Sequence, residues 1–182
     1  MLELTFANRM RIILDPQERV NFSEKAIRYY ARYALGVLAT LRDPFFRRFI
    51  YRLLNRENIA INRIHDIRIK TFPKRNEQNG KKLIGKCSTN GTISIYPKDL
   101  KFMQQLRKTR EPDNVTFYVT SRARATLMHE LLHLKYFDRE RKVRALTERY
   151  FTAFLRHRKL DGEKRNLLKQ LFRKKTNPPK LS

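Results

Sequence analysis

Residues 125–134 read Ala-Thr-Leu-Met-His-Glu-Leu-Leu-His-Leu, and no other stretch constrains the fold as strongly. Histidines four apart lie one above the other on a helix face, so His129 and His133 can reach one metal ion. With His 4 in 182 residues, shuffling this composition produces His-Glu-x-x-His roughly once in two hundred trials. Leu127, Leu131 and Leu134 form one apolar line, widened by Met128 and Leu132. His129, His133 and Thr126 lie on the opposite side. That is a buried helix with a narrow polar stripe. Two structural histidines would leave Glu130 as a buried charge in need of partners. Beside a metal ion, Glu130 has a task, as a base acting on water.

The length of 182 residues sets one domain, or one domain with an appendage, and a hydrophobic content of 41% supports a core. The formal net charge of +25 exceeds what solubility requires. It points to polyanionic partners, nucleic acid first and an anionic membrane surface second. Cys87 stands alone, which excludes a disulfide framework and a Cys-rich zinc site and fits a reducing compartment. Met1 to Thr5 carry no basic stretch leading into an apolar core, so no signal peptide is visible. The longest apolar run, Tyr33 to Leu41, is interrupted by Gly36 and Thr40 and is too short for a membrane span. The expectation is a cytoplasmic protein.

Short strands are expected over 2–6 and 10–14, closed by Asp15-Pro16. Ser23 reads as the cap of a helix reaching Arg42, and Asp43-Pro44 restarts a second one. The two make a helical hairpin over 24–56. On the second helix Phe45, Phe46, Phe49, Ile50, Leu53 and Leu54 face inward, and Arg48, Arg52 and Arg56 form an outer stripe beside Tyr51. The period then changes to two. Strands are expected over 67–71, 83–87 and 92–96, the last two joined by Asn90-Gly91 as a hairpin turn. A helix follows over 98–109, then an extended segment over 115–120. Ser121 is the expected cap of the histidine helix, which runs to about Tyr136, and Asp138 that of the next. On this last helix Val143, Leu146, Thr147, Tyr150, Ala153 and Phe154 are the buried side. A basic helix over 163–173 and a polar tail end the chain. The organisation is a domain over 1–160, helical in 1–57 and sheet plus site helices in 58–160, followed by a basic appendage over 161–182.

Catalytic zinc takes three protein ligands and leaves a position for water. The third must come from beyond the histidine helix, and Glu140, Glu148 and Asp138 are the candidates, with His157 and His65 more remote. With Leu146 at 0° and a step of 100°, the apolar face of the following helix centres near 60°. Glu140 falls at about 120°, on the edge of that face and close to the turn. Glu148 falls at about 200°, toward solvent, where a pairing with Arg144 suits it. Glu140 is therefore the favoured ligand and Glu148 the alternative.

His129-Glu130-Leu131-Leu132-His133, a short turn and an acidic ligand on a second helix resemble the zincin metallopeptidases, and more narrowly the SprT-like and ImmA/IrrE-like proteins. The resemblance covers about residues 83–155. It implies an α+β zincin-like fold with an N-terminal helical hairpin, a small antiparallel sheet, and the motif helix followed by a ligand-bearing one. It also implies that an edge strand docks the extended peptide substrate, and the strand over 92–96 is similar in placement. SprT-like proteins supply a third histidine, which has no counterpart here, and ImmA/IrrE-like proteins place their glutamate farther along. Leu132-His133-Leu134 and Asp138 are also similar to the YbeY-like endoribonucleases. In that comparison Arg139 stands at the third histidine and Glu130 at a glycine.

These readings converge on a hydrolase that uses Zn2+ and cleaves protein or peptide near nucleic acid. Glu130 is the catalytic base, and His129, His133 and Glu140 are the ligands. Tyr118, Tyr136 and His65 are candidate oxyanion donors, and Arg122 a candidate for holding a substrate carboxylate or phosphate. DNA or RNA would be held by its backbone, through Arg48, Arg52 and Arg56, with further charge on Lys81, Lys82, Lys86 and the 156–175 segment. Two other functions fit the same residues: a zinc-dependent nuclease on this scaffold, and a nucleic-acid-binding protein with a structural zinc site.

Overall fold

Local signals set the first two helices. Ser23 is extended and its hydroxyl accepts from the Ala26 N–H at 3.3 Å, starting α1 (Glu24–Arg42). Asp43 ends α1 and caps α2 (Pro44–Arg56), its carboxylate accepting from the N–H groups of Phe45 and Phe46 at 2.7 and 3.3 Å. Pro44 occupies the first turn, where its missing N–H costs nothing. The computed structural model describes residues 10–15, 22–76 and 79–172. The strand expected over 2–6 and the tail from 174 lie outside the described residues.

The fold class is α+β, with six α-helices and one small sheet among the described residues. The strands are β1 (Ile12–Asp15), β2 (Ile67–Lys70), β3 (Gly85–Cys87) and β4 (Ile93–Ile95), in spatial order β1-β2-β4-β3. The sheet corrects the antiparallel expectation. β1 pairs parallel with β2, and β2 parallel with β4; only β3 and β4 are antiparallel. The chain leaves β1 and returns at β2 only after α1 and α2, the kind of long connection that parallel pairing requires. The β3–β4 turn behaves as its sequence predicts. Gly91 sits at φ +82°, and a Cβ there would overlap the Arg63 carbonyl. This order also moves the sheet edge. β4 lies between β2 and β3 with all three residues buried, so β3, not the strand over 92–96, is the outer strand.

Two helices follow, α3 (Leu100–Thr109) and α4 (Pro112–Tyr136). The extended segment expected over 115–120 and the cap at Ser121 are both overturned. α4 begins at Pro112, and Ser121 is buried in its middle. Every residue from Ser121 to Met128 is buried, so the middle of α4 is covered on all sides. Packing of this kind outweighs the strand preference of Val115, Thr116, Val119 and Thr120.

The chain closes with α5 (Glu140–Leu155) and α6 (Gly162–Phe172). α5 buries Val143, Thr147, Tyr150, Phe151, Phe154 and Leu155, while Ala153 is exposed. α6 packs onto the common core through Leu167. Glu163 on it accepts from Arg110 at 2.9 Å and from Asn114 at 2.6 Å. The basic helix expected as an appendage is thus fastened to α4. Buried Glu57 accepts hydrogen bonds from the hydroxyls of Tyr136 and Tyr150, tying the end of α2 to α4 and α5. No described helix is long and apolar enough to cross a membrane.

Candidate metal centre

The turn between α4 and α5 carries the geometry. Phe137 ends α4 at φ +47°, a strained value for a residue with a side chain, and its N–H donates to the His133 carbonyl at 2.9 Å. Its own carbonyl swings back and accepts from His133 Nδ1. Asp138 is exposed and does not cap α5; Arg139 holds the cap position without a side-chain hydrogen bond. α5 then folds back so that its first residue, Glu140, reaches both histidines. Glu140 Oε2 lies 3.5 Å from His129 Nε2 and 3.2 Å from His133 Nε2, and the two Nε2 atoms are 3.1 Å apart.

The hydrogen bonds of the outer nitrogens fix which atoms these are. His133 Nδ1 faces a carbonyl, so it carries the proton and Nε2 is bare. His129 Nδ1 lies 3.4 Å from Thr147 Oγ1, whose own proton goes to the Val143 carbonyl at 2.8 Å. That nitrogen is also the N–H, and its Nε2 is bare as well. Two lone pairs and a carboxylate oxygen therefore converge with no proton between them. Donors about 2.05 Å from a tetrahedral zinc lie about 3.3 Å from one another, and the three observed separations bracket that value. The donor set, its spacing and its outer hydrogen bonds fit zinc.

The electrostatics sharpen the same picture. Burial pushes the His129 imidazole down to about 4, against the opposing pull of Glu140, so the ring is neutral near pH 7. At Glu140, burial raises the carboxyl, but the hydrogen bond and the charge of Arg144 outweigh it and hold the group below the usual range. Arg144 binds Glu140 Oε1 four residues back, leaving Oε2 for the histidines. The expected pairing of Arg144 with Glu148 is replaced by this one.

Glu130, next to His129 on α4, is buried and packs against Gly85 of β3. Burial, then the negative charge of Glu140, pushes it up to about 8, with a backbone hydrogen bond at Cys87 working against the rise. Gly85 makes room for it: a Cβ placed there would fall 2.8 Å from Glu130 Cδ. Beside it the Cys87 thiol is pushed up to about 11 by burial and by the Glu130 charge.

Several expected residues stand apart. Glu148 is exposed and not in the cluster of metal-ligating groups, which contains Glu140. His157 is exposed, and the His65 side chain is 64% exposed beside Asp66. Tyr118 is buried, and Tyr136 is engaged with Glu57. Arg122 is neither solvated nor available to a substrate. It is buried, donating to the Tyr96 carbonyl at 2.9 Å and the Tyr33 hydroxyl at 3.3 Å. Arg48, Arg52 and Arg56 are exposed along α2, as their spacing predicts. Thr147, Phe137 and Gly85 were not foreseen as parts of the site. Thr147 alone had a signal, lying two helical turns after Glu140 on the same face. No family model, curated protein or solved structure matches the chain.

Proposed function

We propose that the protein is a zinc-dependent metallopeptidase of zincin-like architecture that works beside nucleic acid. One observation carries this reading: two bare imidazole nitrogens and a carboxylate oxygen converge within 3.5 Å, with a buried glutamate next in sequence to the first histidine. His129, His133 and Glu140 hold the ion. Zinc supplies a Lewis acid that polarises a carbonyl and lowers the pKa of water to about 7. The charge of a bound ion would bring Glu130 to its carboxylate form, which takes the proton of the attacking water and returns it to the leaving nitrogen. Thr147, the Phe137 carbonyl and Arg144 orient the ligands.

The peptide lies along β3. Gly85, Lys86 and Cys87 pair with β4 on one side only among the described residues, and Glu130 rests beneath this strand. Main-chain hydrogen bonds along such an edge hold an extended substrate with little demand on its sequence. The stripe Arg48, Arg52 and Arg56 and the net charge of +25 keep the enzyme near phosphate backbones.

Zinc-loaded protein should hydrolyse casein or a DNA-bound protein, and Glu130→Gln should lower this about thousandfold without loss of zinc. A zinc-loaded protein that leaves peptides intact and cuts RNA would replace this reading with a nuclease. Equal peptide hydrolysis by wild type and Glu130→Gln would remove Glu130 from its role.

A further inference from the structure

Away from the metal centre, α1, α3 and α4 enclose a groove of about 640 Å³. One wall is cationic. Lys25, Arg28 and Arg32 line it from α1 and Arg107 from α3. The other wall, on α4, presents the hydroxyl-bearing Thr116 and Thr120. The lining of α1 extends from Lys25 to Thr40, which at 1.5 Å per residue is about 22 Å of helix. Lys25, Arg32 and Arg107 have no ion-pair partner among the described residues. Arg28 meets Glu24 only at 3.9 Å, between side chains 73% and 92% exposed. Arg107 is held at the wall by the Tyr29 ring, 5.8 Å from its centroid, and the Tyr29 hydroxyl donates to the Lys98 carbonyl at 3.2 Å.

A second observation points to an occupant. Gly36 lies within α1 and lines this groove. Glycine weakens a helix interior, and here neither backbone nor packing asks for it. Its φ is not positive, and a Cβ would meet nothing within 4 Å. A side chain there would project into the open space of the groove, beside the cations.

We propose that this groove binds a single strand of nucleic acid, its phosphates along Lys25, Arg28, Arg32 and Arg107 and its sugars and bases against the threonine wall. Cations in a row track a phosphate backbone, and hydroxyls complete the phosphate and sugar contacts without reading sequence. The inference does not depend on zinc, and it assigns the strand a seat separate from the Arg48, Arg52, Arg56 stripe.

The test uses the full chain and fluorescence anisotropy with labelled 12-mers of dT and U, at several salt concentrations. Arg32→Glu with Arg107→Glu should weaken binding at least tenfold. It should also flatten the salt dependence by about 1.4 in log K against log salt, at about 0.7 per phosphate lost. Lys101→Glu with Lys108→Glu makes the same charge change on α3 outside the groove, and should cost less than threefold. Gly36→Met should weaken binding with no charge change, and methionine is a good helix former at an open position, so this variant serves if the double reversal does not fold. The proposal is overturned if both double variants lose affinity equally or if Gly36→Met binds like wild type. It is also overturned if a 12-base-pair duplex binds more tightly than the strand, or if the groove variants lose phosphatidylserine vesicles but keep the oligonucleotide.

Discussion

In the first half of α4, Arg122 and Arg124 are buried and each meets a partner that the fold supplies. Arg122 donates to the Tyr96 carbonyl and the Tyr33 hydroxyl. Arg124 reaches Asp43 at 3.1 Å, with the Phe46 and Phe154 ring centroids 5.5 and 5.2 Å from its guanidinium. In the second half of the same helix, His129 and His133 are held from behind and turn their bare nitrogens toward each other and toward Glu140. Donors meet acceptors in one region, while acceptors meet acceptors in the other. The first arrangement is met within the protein except at Arg124 Nε, which is buried without a hydrogen-bond partner among the described residues. The second brings together three donor atoms at the spacing a bound metal ion would require. Buried polarity by itself therefore does not mark a site; the sign and direction of the unpaired atoms do.

Substitutions that separate the two halves follow, from the largest effect down. Glu130→Gln should lower peptide hydrolysis about thousandfold, in the range of general base catalysis, with zinc content and melting temperature of the loaded protein near wild type. Asp43→Ala acts on the other half. It removes the cap of α2 and leaves Arg124 buried without its carboxylate, for a loss of about 3 kcal/mol in urea unfolding. Zinc stoichiometry should not change; a loss of zinc at equal foldedness would show that the halves are coupled. Thr147→Val keeps the shape and removes the partner of His129 Nδ1. It should weaken zinc about 10- to 100-fold in chelator competition and leave the unfolding of metal-free protein little altered.

The smallest effect is a pH slope. In metal-free protein the Glu130 carboxyl is pushed from 4.5 up to about 8 by burial. Between pH 6.5 and 8 the unfolded chain has released that proton and the folded chain holds it. Stability therefore falls as pH rises, by at most about 1.4 kcal/mol per unit. His129, pushed down to about 4 in the folded state, is protonated near pH 6.5 only in the unfolded chain, which opposes the slope at the lower edge of the window and fades toward pH 8. Glu130→Gln should remove the slope, and an unchanged slope in the variant would assign it to other groups.

What was legible in the sequence was local. Ser23, Asp43-Pro44 and Asn90-Gly91 act through bonds a few residues long, and each stands where its chemistry predicts. The approach of Glu140 to both histidines was legible because a residue next to a turn lies on the rim of the buried face, which the phase of Val143, Tyr150 and Phe154 locates. Val115 to Thr120 misled because its β-branched residues read as strand, whereas packing of Val115 and Tyr118 in the core holds it in α4. The parallel pairing of Ile12 with Ile67 and of Ile67 with Ile93 has no local signature. The edge position of β3, and with it the seat of Glu130 against Gly85, depends on that pairing. Phe137 is hidden for another reason: nothing about a phenylalanine announces a positive φ.

The central claim is that Glu140 completes a metal site with His129 and His133. Zinc bound per chain, measured after loading and exhaustive dialysis for wild type, Glu140→Ala and Glu148→Ala, tests it most directly. The account predicts about one zinc per chain for wild type and Glu148→Ala, and little for Glu140→Ala, as three-ligand sites require. A wild-type protein that retains no zinc, or a Glu140→Ala variant that retains it as tightly, would contradict it.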